Sequence, residues 1–327
     1  LEYGKTDQFV NELKVVLADG KEYTVKPLNK QQLVRKMSQQ DFEGKLYRET
    51  FELLEKNYDV IQAAKPNVTK DSTGYHLWSV WNRETGIFDL TKLFVGSQGT
   101  LGLISDIKFR LVPRPKHSGV LVGYLKDIKP LGKIVPLVLT HKPATFECFD
   151  DNTLMLIFRF FPDFLKKLGF MKWAALGLGL IPAGLGLIRG IPKLILMIEF
   201  TGESVEEVNQ KIETIKKDLK AFPFSYLEKD ETEEKVEKFW IMRRESFSML
   251  RSKVKDKHTA PFIDDFVVPP KNLAAFLPKL QKIIKKYKLH STIAGHLGDG
   301  NFHVIPLMKI EEPSERAKLI PAQKEVN

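Results

Sequence analysis

The run His296-Leu297-Gly298-Asp299-Gly300-Asn301-Phe302-His303 constrains the fold of this chain more than any other stretch. Asp-Gly and Gly-Asn are hairpin dipeptides, because Gly and Asn accept the positive φ that tight turns demand. On either side, Thr292-Ile293-Ala294 and Phe302-His303-Val304-Ile305 have the β-branched and aromatic content of strands. The segment is therefore expected as an antiparallel hairpin, which lets the two imidazoles converge on one face. A metal ion or an anionic substrate requires such convergence. Either histidine alone would read as an ordinary packed or surface residue.

The rest of the chain supplies the frame for that hairpin. At 327 residues the length suggests two domains, the first over 1–115 and the second over 116–327. In the first, Leu13 to Leu17, the turn Ala18-Asp19-Gly20 and Glu22 to Val25 read as a small hairpin. Tyr47, Phe51, Leu54, Tyr58 and Ile61 recur at helical spacing over 41–62, a stripe of core residues. Leu103-Ile104 and Ile107 to Leu111 form a strand ended by Pro113 and Pro115.

The second half repeats one pattern. Val120 to Leu125 is a strand, a helix follows from about Asp127, and Ala144 to Phe149 is the next strand. The second copy runs from Leu194 to Phe200, through a helix, to Ser225-Tyr226-Leu227. That helix opens on the capping box Ser204-x-x-Glu207 and carries Val205, Val208, Ile212, Ile215 and Leu219 on one side. Two βαβ copies with helices on one face of an antiparallel sheet make a ferredoxin-like α+β fold. Beyond them come an amphipathic helix with Trp240 to Arg244, a strand from Phe262 to Val268 and a helix striped from Leu273 to Tyr287. The tail from Glu311 is charged and polar, with no expected partner.

Composition narrows the function classes. A hydrophobic content of 43% and a charged content of 28% belong to a globular chain. The single cysteine, Cys148, excludes an internal disulfide and a cysteine-based metal site, and within Thr145 to Phe149 it reads as a buried, inert thiol. No signal peptide is visible, and the absence of an initiating Met suggests that the true start lies upstream. The net charge of +10 is spread among interleaved acids, with no basic aromatic platform, so nucleic acid is not an expected partner. Trp173 to Ile188 carries no charge across 16 residues and is flanked by Lys166, Lys167, Lys172, Arg189 and Lys193. It is too short, and broken at Pro182, to span a bilayer. Two readings remain for it within an insertion over about 162–193: an element lying in a membrane interface, or a buried helical insertion.

Phe94-Val95-Gly96-Ser97-Gln98-Gly99-Thr100-Leu101-Gly102-Leu103-Ile104 is the other stretch that carries chemistry. Its glycines let the backbone approach a flat ligand, and Ser97 and Thr100 add hydroxyls. It lacks the Lys-Ser/Thr pair of a Walker A loop. Leu93 to Ile104 closely resembles the flavin-contacting segment of FAD-linked oxidases of the vanillyl-alcohol oxidase type, with a PCMH-type FAD-binding domain. Lys70-Asp71-Ser72-Thr73-Gly74-Tyr75 and Tyr3-Gly4-Lys5-Thr6 match the same family, and His296 to His303 resembles the signature of its D-lactate, glycolate and D-2-hydroxyglutarate dehydrogenase branch.

That resemblance implies the C-terminal portion of a PCMH-type FAD-binding domain over 1–115, and an FAD-linked oxidase substrate domain over 116–327. It implies FAD held by Gly96, Ser97, Gly99, Thr100, Gly102 and Ile104, and a divalent metal, Zn or Mn, on His296 and His303. The reaction implied is oxidation of a 2-hydroxy acid by hydride transfer to FAD, with His296 and His303 catalytic. Arg243, in a Trp-x-x-Arg motif with Trp240, would hold the substrate carboxylate; guanidinium–carboxylate geometry suits Arg to that role. Electrons would pass to a membrane quinone or another acceptor. The expected location is the cytoplasm, peripheral to the inner face of the membrane through Trp173 to Ile188.

Departures from the family pattern matter too. Gln98 stands where Glu is commonest. The pyrophosphate-cradling loop expected before Leu1 and the Glu-His-Gly element expected after Asn327 are not in this sequence, which reads as an interior piece of a longer enzyme. Two alternatives stay open: a flavin oxidase acting on another alcohol, and a flavin-free membrane adaptor that keeps the scaffold.

Overall fold

The computed structural model describes residues 2–153, 155, 191–230, 240, 257–260 and 262–326. Arg243 and the whole of Trp173 to Ile188 lie outside the described residues. The chain divides into two compact units, one of Tyr3–Asn67 with Asp71–Arg114, the other of Leu1–Glu2, Val68–Lys70 and Pro115–Asn327.

In the first unit, β1 (Val10–Val16) pairs antiparallel with β2 (Glu22–Val25) across a tight turn. Helices α1 (Lys30–Ser38), α2 (Phe42–Lys56) and α3 (Tyr58–Ala63) follow. After them come the short strands β3 (Trp81–Asn82) and β4 (Ile87–Phe88), and α4 (Thr91–Phe94). The edge strand β5 (Leu103–Phe109) then returns along β1, giving the order β2-β1-β5. Alternation along β1 sends Leu13 and Val15 into a core with Val25, Leu33, Tyr47, Leu54 and Phe88. The helical stripe expected over 41–62 is interrupted. Asn57 leaves the helical conformation at φ −109° between α2 and α3, with its side-chain amide on the Leu53 carbonyl (2.8 Å).

The second unit is a mixed helix-and-strand domain. Its elements run β6 (His117–Leu125), α5 (Leu131–Thr140), β7 (Thr145–Asp150), β8 (Leu194–Gly202), α6 (Val205–Leu219) and β9 (Phe224–Asp230). Their order across the sheet is β7-β8-β6-β9 with every neighbouring pair antiparallel, the ferredoxin-like arrangement. Beyond β9 lie β10 (His258–Thr259), β11 (Asp265–Val267), α7 (Leu273–Lys286), β12 (His290–His296) and β13 (Asn301–Met308). β12 pairs with β7, β13 pairs with β12, and β10 and β11 both pair with β13. Among the described residues the result is one sheet of eight strands.

Strand alternation divides this sheet into two faces. Leu121, Phe146, Cys148, Ile198, Phe302 and Val304 pack with Ile134, Val138, Ile212, Ile215, Leu277 and Leu280 of α5, α6 and α7. Cys148 is wholly inside that layer. The opposite face carries a smaller apolar set: Val120, Val122, Tyr124, Phe149, Ile195 and Met197, with Trp240 and Ala294 against it.

Two local expectations need correction. At the start of α6, Ser204 accepts from the Glu207 N–H (3.2 Å), but the Glu207 carboxylate returns to the Glu203 N–H (2.9 Å) rather than to Ser204. The tail from Glu311 does have a partner. α8 (Pro313–Arg316) and α9 (Leu319–Val326) close the described chain. Leu319, Ala322 and Val326 lie on one side of α9 and join the main core. Glu325 accepts from Lys286 (2.7 Å) and Tyr287 (2.9 Å), so its charged residues tie the tail down.

Candidate functional site

Register determines what lies beside the histidines. β12 and β13 place Ala294 opposite His303 and His296 opposite Asn301. β7 places Phe149 opposite Ala294 and Cys148 opposite Gly295, so Glu147 comes next to His296. Continuing across β8, β6 and β9, Glu147 meets Met197, Met197 meets Val122, and Val122 meets Glu228. Opposed residues share a face of a sheet. One row on the face opposite the helices is therefore Asn301, His296, Glu147, Met197, Val122 and Glu228. Its neighbour is His303, Ala294, Phe149, Ile195, Tyr124 and Tyr226.

The two imidazoles come together, with ring centroids 5.8 Å apart and planes at 81°. Between the strands, Leu297–Asp299 makes a single 3-10 turn and Gly300 takes φ of 66°. No other residue type fits at Gly300, since a Cβ there would lie 1.9 Å from the Val268 carbonyl oxygen. Asn301 is fully buried and donates to the Asp265 carboxylate and to the Phe266 carbonyl (3.2 Å). Its own side-chain oxygen accepts from Lys70 Nζ (2.7 Å), and Thr69 Oγ1 donates to the Asp299 carbonyl (2.7 Å). Thr69 and Lys70 thus hold the turn from outside.

The two histidines differ in their partners. His296 Nδ1 is hydrogen-bonded to Glu147 Oε1, and Glu147 is only 6% exposed. His303 Nδ1 stands 3.8 Å from Asp264 Oδ1 and 3.9 Å from Asp265 Oδ1, ion-pair separations rather than hydrogen bonds. Burial pushes the Asp264 carboxyl up, opposed by the neighbouring His303. Among the described residues, no group of three or more His, Cys, Asp or Glu side chains could hold a metal ion. Among the described residues the metal implied by the resemblance thus has no complete three-residue donor set.

The glycine loop belongs to the first unit. Asp89 accepts from the Thr91 N–H (3.0 Å) and hydroxyl (2.6 Å), fixing the start of α4, which delivers the chain into the loop. Gly96 and Gly99 take φ of 88° and 78°, and a Cβ built on either meets nothing within 4 Å. Each bares a strip of peptide to open space, as contact with a flat ring system requires. Ser97 is buried. Thr100 Oγ1 donates to the Ser97 carbonyl (2.5 Å), so the Tyr75 hydroxyl at 2.6 Å donates to Thr100. Gly102 has a different role: a Cβ there would lie 2.8 Å from the Val16 carbonyl, so its smallness lets the loop close on β1. Ile104 sits on β5 opposite Val15. These residues suit a flavin bed at Gly96 and Gly99, with Gly102 as the support behind it.

Sequence reasoning missed Glu147 and the Asp264–Asp265 pair, and read Asn301 only as a turn residue. Only Glu147 left a signal, a lone carboxylate inside the apolar strand Thr145-Phe146-Glu147-Cys148-Phe149. Trp240 packs on the site's face of the sheet. No helix among the described residues is long and apolar enough to cross a membrane.

Comparison with known proteins places this architecture. The D-2-hydroxyglutarate dehydrogenase of Pseudomonas putida is 26% identical over 332 residues, covering 98% of this chain and 30% of that protein. Glycolate oxidase subunit GlcD of Bacillus subtilis is 30% identical over 243 residues, covering 73% of this chain and 45% of that one. The mitochondrial D-lactate dehydrogenase [cytochrome] of Arabidopsis thaliana is 26% identical over 251 residues, covering 76% and 36%. The chain thus spans less than half the length of these curated relatives. Among solved structures, 4-ethylphenol oxidase from Gulosibacter chungangensis shares the fold with a TM-score of 0.56 at 12% identity, over 99% of this chain and 56% of that one. p-Cresol methylhydroxylase does so with a TM-score of 0.52 at 11% identity, over 98% and 55%. Residues 114–327 match the family model described as FAD linked oxidases, C-terminal domain, and the chain belongs to that family.

Proposed function

We propose that this chain is the flavin-loop and substrate-domain portion of an FAD-dependent dehydrogenase of 2-hydroxy acids, of the D-lactate or glycolate type. Residues 1–115 then form the C-terminal part of the PCMH-type FAD-binding domain, and 116–327 the substrate domain. The observation that carries the reading is the imidazole pair, 5.8 Å between centroids, on the sheet face opposite the helices. Relatives named D-2-hydroxyglutarate dehydrogenase, glycolate oxidase subunit and D-lactate dehydrogenase support the substrate class.

Oxidising a 2-hydroxy acid to a 2-keto acid removes a hydride from carbon and a proton from oxygen. FAD, when bound, supplies the hydride acceptor. Gly96, Ser97, Gly99, Thr100, Gly102 and Ile104 are the residues proposed to hold it. In this reading His296 takes the hydroxyl proton, a task suited to an imidazole near neutral pH. His303 lies close enough to bind the same hydroxy-acid head, and Arg243 clamps the carboxylate. A quinone or another acceptor would serve as the final electron sink. Attachment to the inner membrane face through Trp173 to Ile188 belongs to the same proposal.

The test uses the full-length protein. It should show flavin absorbance and reduce an artificial acceptor with D-lactate or glycolate, and His296→Asn should lower kcat by roughly 100-fold or more. A flavin-free protein, or a variant as fast as the wild type, overturns the reading. Flotation with anionic vesicles, lost on deleting 171–190, tests the membrane part.

A further inference from the structure

The strongest feature that this reading leaves unused is the buried carboxylate beneath His296. Burying a carboxylate is costly unless its partners repay the lost hydration. Glu147 is 6% exposed, yet it sits on the site's face of β7, in the same row as His296. The sheet's main apolar layer is on the other side, with Phe146 and Cys148. Glu147 is therefore not a charge misplaced in that layer. Its side chain reaches one strand over, to the inner nitrogen of the ring.

We propose that Glu147 is the positioning residue of His296, holding it as the Nδ1–H tautomer with its Nε2 lone pair turned outward. The proposal rests on the role given to His296 above but is tested apart from it. A carboxylate only accepts, so the ring nitrogen facing it carries the hydrogen. With Nδ1 turned inward to Glu147, Nε2 is the ring nitrogen left on the outer edge. The His296 side chain is 35% exposed against 8% for Glu147, so the inner nitrogen is anchored while the ring edge stays accessible. Both residues stand on paired strands, which fixes the ring better than a loop could. His303 Nδ1 stands 3.8 and 3.9 Å from the Asp264 and Asp265 carboxylates, ion-pair separations longer than the contact His296 makes with Glu147.

The experiment is 15N-histidine NMR on the full-length protein, under mildly alkaline conditions where an ordinary imidazole is neutral, with His296→Gln assigning the signal. Wild-type His296 should show the Nδ1–H pattern in long-range 1H–15N correlations. Glu147→Ala should shift it toward Nε2–H. Glu147→Gln, whose amide donates as readily as it accepts, should give a mixture, and Glu147→Asp should restore the wild-type pattern in part. Glu147→Gln keeps the volume and a hydrogen-bonding group, so it remains informative if Glu147→Ala does not fold. In turnover, Glu147→Gln should lower kcat by roughly 10–100-fold and leave KM nearly unchanged. An Nε2–H wild type, or a Nδ1–H pattern that survives both Glu147→Ala and Glu147→Gln, overturns the proposal. If the wild type oxidises no hydroxy acid, the functional reading fails, and the tautomer measurement still decides Glu147.

Discussion

The glycine loop and the histidine turn both depend on glycine, for opposite physical reasons. At Gly96 and Gly99 a Cβ would meet nothing within 4 Å among the described residues, so the peptide there faces open space. At Gly295 and Gly300 a Cβ would meet backbone oxygens at 2.2 and 1.9 Å, so the space is already filled by the chain itself. One region leaves its peptides open; the other uses glycine to bring strands and turn together. Substitution should therefore cost binding in the first and folding in the second.

The largest effect is expected at Gly295. Gly295→Ala drives a methyl into the Asn301 carbonyl and Phe302 Cα, at 2.2 and 2.8 Å. We expect a loss of about 3 kcal/mol. It should appear as a lower urea midpoint with an unchanged slope. A midpoint equal to the wild type would remove the distinction between the two regions.

A buried carboxyl gives a further test within the second unit. Asp150 on β7 accepts from the Thr153 N–H (2.9 Å) and hydroxyl (2.7 Å). Burial pushes its carboxyl up to about 6, while those hydrogen bonds pull the other way. A carboxyl raised in the folded state stabilises most when protonated: its contribution is complete below the ordinary value of 3.8 and is lost as pH rises through about 6. Asp150→Asn, neutral throughout, should therefore gain on the wild type by roughly 2 kcal/mol between about pH 4 and pH 7. Parallel stability–pH curves for the two proteins would contradict this.

Gly99→Ala should do less to the fold and more to the cofactor. Its φ of 78° strains an alanine by about 1 kcal/mol. In the full-length protein the added methyl occupies the bare peptide strip, so the flavin-to-protein absorbance ratio should fall well beyond what that strain explains. Flavin content at the wild-type level would argue against Gly99 as part of the bed.

The smallest effect is expected at Asp264. Asp264→Asn alters a partly exposed charge 3.8 Å from His303 and should move stability by less than about 1 kcal/mol. Comparison with Glu147→Gln then measures how unequal the two imidazoles are. Equal kinetic losses would make the histidines equivalent and weaken the role given to Glu147.

These contrasts also explain what could be read from the residues. The hairpin at His296 to His303, the glycine loop and the two βαβ copies rest on local rules: turn chemistry, alternation and helical spacing. Such rules act within a few residues, so each leaves a mark in consecutive sequence. The stripe over 41–62 packs into the core as expected, but across two helices that meet at Asn57. The tail was misread because its charged residues hid a sparse stripe of Leu319, Ala322 and Val326 that finds its place only against an existing core.

Turn, glycine loop and fold class followed from the amino-acid order, because each depends on neighbours a few positions apart. The partner of His296 did not. Glu147 lies 149 positions away in the chain and reaches the ring only because β12 comes to lie beside β7 in one particular register. A shift of one residue would turn Glu147 into the apolar layer and leave His296 beside Phe146 or Cys148, since successive side chains on a strand point to opposite faces. Strand order and register are set by the packing of the whole sheet, and it was this packing that chose the histidine's neighbour.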